Sequence, residues 1–93
     1  MTTIIAVHEV ENSERWAKFW RPGPGSRHEL MAKMGVTART IHDPQNPKLM
    51  GLILEVPDMK QFQAFMQSDE ARKAMGEDSV KPETLRILSE FTP

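Results

Sequence analysis

The sequence predicts an α+β domain with the element order β-α-β-β-α-β, and three observations carry that expectation. Short β-branched or apolar runs recur at 3–10, 36–42, 48–56 and 84–91. Between them stand two segments with apolar residues at helical spacing: Trp16, Phe19 and Trp20 in the first, Met59, Phe62, Phe65 and Met66 in the second. Each helical segment is interrupted by a helix stop or restart, PGPG at 22–25 and Ser68 respectively.

Taken in order, TIIAVHEV (3–10) is a strand bounded by polar ENSE, and the segment 13–20 is a helix with Asn12 or Ser13 as its N-cap. Pro22 and Pro24 end that helix, because neither carries an N–H and each disfavours helical backbone in the residue before it. A second helix starts at Ser26, with Glu29 three residues later completing a capping box, and Gly35 closes it. VTARTIH (36–42) and KLMGLILEV (48–56) flank the turn DPQNP and form an antiparallel hairpin, the second strand being apolar enough to lie in the sheet's interior. Asp58 caps the next helix, Ser68 caps a further short one that Gly76 stops, and TLRILSEF (84–91) is the last strand. This order is ferredoxin-like: a four-stranded antiparallel sheet with its helices on one face.

The 93 residues make one domain, with 39% hydrophobic content and no cysteine. A chain of this size buries about 60–65% of its unfolded surface, so association is the expected supplement to its core. Without thiols, disulfides are excluded and a metal site would need His and carboxylate ligands; the three histidines show no paired helical or strand spacing, so no metal is expected. The 12 basic and 13 acidic residues are dispersed, which argues against nucleic acid as a partner. There is no basic leader followed by an apolar core and no run approaching the ~20 apolar residues of a membrane span, so the expectation is a cytoplasmic protein with no membrane partner.

Alternation along the strands shows why the sheet needs a partner. In the third strand Met50, Leu52, Leu54 and Val56 suit the helix side, yet the other set, Leu49, Gly51, Ile53 and Glu55, is also largely apolar. In the last strand Leu85, Ile87, Ser89 and Phe91 alternate with Thr84, Arg86, Leu88 and Glu90. A sheet with two apolar faces is best satisfied by packing on a second copy, and a homodimer is expected.

The βαββαβ order, the broken first helix ending in HELMAKMGV, and the run LILEVPDMKQFQAFMQSDEARKAM leading to a final strand resemble the dimeric α/β-barrel superfamily. That group includes small antibiotic-biosynthesis-monooxygenase-like and stress-responsive barrel proteins, and the resemblance covers essentially the whole chain. It implies two subunits whose sheets close a barrel, with a pocket inside the barrel or between sheet and helices. The chemistry it implies is broad: cofactor-free monooxygenases, isomerases, polyketide cyclases, haem-degrading proteins, and barrels without known activity. Haem-degrading members carry an asparagine on the first strand and a tryptophan and a histidine on the second helix. Here 3–10 has no asparagine, 58–75 has no histidine, and both tryptophans precede residue 21, so that branch does not fit.

Histidines are the natural acid/base candidates near neutrality. His8 shares a strand face with Ile4, Ala6 and Val10, and is either a hydrogen-bonded core residue or a pocket base. His28 lies in the first turn of the restarted helix, where the alternative is simple solvent exposure, and His42 ends a strand beside a turn. Trp16 and Trp20 are either core or the wall for a flat apolar or aromatic ligand. Glu9, Arg39, Glu55 and Arg86 fall on strands, where a closed interior face would require them to pair or to bind something polar. The resulting expectation assigns His8, His28 and Arg39 to catalysis and Trp16, Trp20, Arg27, Glu55 and Arg86 to substrate binding, without cofactor. The function expected is a small monooxygenase-like or cyclase/isomerase-like enzyme for an aromatic or enolisable molecule. A non-enzymatic barrel holding a small molecule is the alternative, and seven methionines suit it because their side chains adapt to irregular space.

Overall fold

The most apolar run of the chain, β3 (Asn46–Val56), pairs antiparallel with β1 (Thr2–Glu9) on one side and β2 (Thr37–Asp43) on the other. β4 (Arg86–Ser89) pairs antiparallel with β1, giving the sheet order β2-β3-β1-β4. This is the computed structural model of the chain, and it describes residues 1–93. Between the strands lie α1 (Ser13–Trp20), α2 (Arg27–Ala32), α3 (Met59–Met66) and α4 (Asp69–Glu77). The architecture is the ferredoxin-like α+β one, with both helical connections broken in two.

Register decides which residues face the helices. Ile4 is opposite Leu54 and Ser89, Ala6 opposite Leu52 and Ile87, and His8 opposite Met50. Ile4, Ala6, Leu52, Leu54 and Val56 are buried there with Val10, Trp16, Trp20, Met31, Val36 and Phe62 in one core cluster. The alternate set, including Ile5, Val7, Ile53 and Leu88, lies on the other face, where no element covers it.

The helix starts follow their caps. Asn12, Ser26, Asp58 and Ser68 accept hydrogen bonds from the N–H groups of Arg15, Glu29, Gln61 and Ala71. The expected capping box is modified: the Glu29 carboxylate accepts from Gly25 N–H at 3.2 Å, because Ser26 N–H is already donated to the Gly23 carbonyl. Gly35, at φ +71°, ends the second helical segment with N–H bonds from Gly35 to Ala32 O and from Val36 to Met31 O.

Five elements differ in their bounds from the sequence expectation. Gly76 does not stop α4 but lies within it; the left-handed residue is Ser79, at φ +64°. The last strand is four residues, not eight, since Pro82–Thr84 form a 3-10 turn in which the Thr84 hydroxyl donates to Lys81 O and accepts from Glu9 N–H. β3 begins at Asn46 and so includes Pro47, which had read as turn. β1 and β2 are shifted by one residue, with Val10 in an isolated bridge to Val80.

Ser79 accepts that backbone because its side chain is needed. Its Oγ accepts from Asn12 N–H and donates to Asn12 O, at 3.1 and 3.0 Å, tying the end of α4 to the start of α1. Ser79→Ala keeps the left-handed cost and loses both bonds, so it should destabilise by about 2 kcal/mol, whereas Ser79→Gly should recover roughly 1 kcal/mol of that. Urea denaturation of the two variants side by side measures the difference, and equal midpoints would contradict it.

Candidate functional site

A cavity of about 60 Å³ lies between the sheet and the helices, and 15 of its 18 lining residues are hydrophobic. Its floor is the helix-facing side of β1 and β3, including Ala6, Leu52 and Leu54. Phe65 and Met66 of α3, Met75 of α4 and Ile87 of β4 form walls that are half-buried or exposed, so the enclosure is weakest there. The three remaining lining residues, His8, Arg27 and Asp78, are the polar ones.

His8 is 4% exposed, and its Nε2 has no hydrogen-bond partner. Burial pushes its pKa below the ordinary 6.5, so the imidazole is neutral at pH 7. A neutral, unpaired imidazole in an apolar cavity is a proton acceptor or donor waiting for a polar group. Its ring contacts Trp16, with centroids 5.8 Å apart, and the indole Nε1 of Trp16 is likewise buried without a partner. Trp16 stacks on Trp20 at 5.8 Å, and Trp20 meets His28 edge-on at 5.3 Å. Trp20 lines the cavity; Trp16 stands behind it.

His28 is brought to this aromatic row but not to the cavity. Its Nε2–H donates to the Trp20 carbonyl at 3.0 Å, the last carbonyl of α1. The elbow at 21–25, with Gly23 at φ +137° and Gly25 at φ +77°, turns the chain so that a side chain of α2 caps the helix that precedes it. That bond gives His28 a structural task.

Arg27 crosses from α2 to the end of α4. Its Nε donates to both Asp78 carboxylate oxygens at 2.9 and 3.2 Å, and its Nη2 reaches Asp78, Glu77 and the Ala74 carbonyl. The guanidinium also sits 4.4 Å from the Phe19 ring centre, over an aromatic face of α1. Burial raises the pKa of Asp78, against the opposing pull of Arg27 and the Trp20 indole. Asp78 is the functional candidate that sequence reasoning missed, since nothing in DEARKAMGED marks one acid as buried against an arginine 51 residues earlier.

Arg39, Glu55, Arg86 and Glu9 lie on the opposite side of the sheet, by register with Ile53, Thr3, Val7 and Leu49. The sheet therefore separates Arg39 from His8, and Arg39 cannot stabilise an oxyanion in the cavity that His8 lines. Glu55 accepts from the Thr3 hydroxyl at 2.7 Å, and Arg86 donates to the carbonyls of Glu83 and Leu85. No three acidic or histidine side chains converge as metal ligands, and no helix is long and apolar enough to cross a membrane.

These features define a class, a ferredoxin-like sheet whose helices enclose a small apolar cavity with one neutral histidine. No family model matches the sequence, and no curated protein matches it closely. Among solved structures the fold is similar to a crystal structure of antibiotic biosynthesis monooxygenase, over 100% of both chains at a TM-score of 0.69 and 13% identity. At that identity what the two share is the fold.

The lowered pKa of His8 makes a stability prediction. Unfolded chains take up a proton near pH 6.5 and the fold resists doing so, hence the His8 contribution is complete above that pH and is lost as pH falls through the depressed value. Replacing His8 with leucine should flatten the decline in stability below pH 6.5. Urea midpoints of both proteins across that range check it; parallel curves would refute the assignment.

Proposed function

We propose that the protein is a monooxygenase-like or cyclase/isomerase-like enzyme acting on a small aromatic or enolisable molecule, with His8 as the proton acceptor. The observation that carries this reading is the unpaired Nε2 of His8 in the wall of a cavity that is apolar apart from Arg27 and Asp78, which pair with each other. An acidic C–H or O–H of a bound molecule gives its proton to Nε2, forming an imidazolium and an enolate or phenolate. In the isomerase or cyclase form that proton returns to a different atom; in the oxygenase form the anion passes one electron to dissolved dioxygen, the superoxide formed bonds to the substrate radical as a peroxide, and O–O cleavage with loss of water leaves a new carbonyl. Trp20 supplies a flat wall beside the reacting group.

As closed, the cavity has room for about two waters, so this reading requires Phe65, Met66 and Met75 to yield. The same methionine-lined closure favours a second reading, a binding protein without turnover. The two separate with 2-naphthol as probe: a thermal shift on the native chain, then oxygen uptake and product formation with His8→Gln. The enzymatic reading expects stabilisation by the probe and loss of at least about a hundredfold in turnover with the variant. Stabilisation with turnover unaffected by His8→Gln would defeat it.

The proposal includes a homodimer through the uncovered sheet face. Ile5, Val7 and Ile53 are half-buried and Ile41 and Leu88 exposed there, an apolar surface crossed by Arg39, Glu55 and Arg86. Ile53→Lys, which points away from the monomer's core, should convert a dimer to a monomer in sedimentation at micromolar concentration. A native chain that sediments as a monomer would remove this part.

A further inference from the structure

On the outer side of the helical layer a groove of about 330 Å³ runs between α2 and α4. Three residues, Arg27, Leu30 and Ala74, belong both to this groove and to the interior cavity, so a single layer of side chains separates the two spaces. The groove holds charges of both signs, but they are not equally free. Among its acids, Glu29 is bonded to Gly25 N–H and Glu77 to Arg27, leaving Glu70. Among its cations, Lys33 and Lys73 are exposed and their side-chain ammonium groups make no hydrogen bond to the protein, and the Nη1 of Arg27 makes none either. The uncommitted charged groups of the groove are therefore three cationic ones against a single acid, Glu70, and behind them lies an apolar space.

We infer that groove and cavity form one site for an amphipathic carboxylate, its anionic head held by Lys33, Lys73 and Arg27 and its apolar body passing Leu30 and Ala74 toward His8. A carboxylate suits these donors because Arg27 already holds one, that of Asp78, through Nε and Nη2, and its third nitrogen stays free for a second. The inference rests on the reading of the cavity as a ligand site and adds the charge and shape of the ligand.

Calorimetric titration of the full chain with sodium octanoate, 1-octanol and sodium acetate tests it. Octanoate should bind about tenfold tighter than octanol, as expected for a charge-assisted contact, and acetate should not bind measurably. Lys33→Ala with Lys73→Ala, both at exposed positions, should weaken octanoate by a similar factor and leave octanol unchanged. Equal affinities for octanoate and octanol, or octanoate binding indifferent to the double substitution, would overturn the anion site. Stabilisation by neutral 2-naphthol in that case would leave the cavity reading standing, whereas failure of both octanoate and naphthol would remove the two together.

Discussion

The helical layer depends on one partly buried ion pair. Arg27 and Asp78 join α2 to the end of α4, and Phe19 of α1 lies against the same guanidinium, so three of the four helices meet at one side chain. Burying two charges costs several kcal/mol per ion, which their attraction offsets only when the geometry is good and the remaining donors are used. Here two nitrogens of the guanidinium are shared among Asp78, Glu77 and the Ala74 carbonyl. The pair thereby fixes where α2 sits over the sheet, and with it the position of the elbow, of Trp20 and of the cavity's outer wall. An apolar pair of similar volume would fill the same space, but it would not specify the angle between two short helices.

Much of this was legible in the sequence where local rules act alone. Caps at Asn12, Ser26, Asp58 and Ser68, the closure at Gly35 and the inward set Met50, Leu52, Leu54 and Val56 all follow from nearest-neighbour chemistry and a period of two. The placement of His8 with Ile4 and Ala6 came from the same alternation. Alternation also separates Glu9 from His8, but within one strand it leaves open which face of a neighbouring strand shares a side with which. Register puts Glu55, Arg39 and Arg86 with Glu9 on the uncovered face.

What the sequence concealed was long-range or conditional. The bond from His28 to the Trp20 carbonyl spans an elbow whose path depends on two left-handed glycines, and Arg27 meets Asp78 across 51 residues of sequence. Ser79 replaced the expected glycine stop because its hydroxyl has two backbone partners on Asn12, an advantage invisible without tertiary contacts. The last strand was shortened by a proline at the start of a 3-10 turn, a position where its fixed φ favours that turn over an extended run.

The stacked pair Trp16 and Trp20 also gives the molecule a built-in optical reporter. The chain has two tryptophans and no tyrosine, so nearly all of its near-ultraviolet absorption and emission arises from two rings 5.8 Å apart. One of those rings borders the cavity and the other touches His8, which places a fluorophore within reach of both the space and its titrating group. Protonation of that imidazole, displacement of the cavity wall and loss of the stack on unfolding would each change the light the protein emits. Occupancy of the interior can thus be followed in the unlabelled chain.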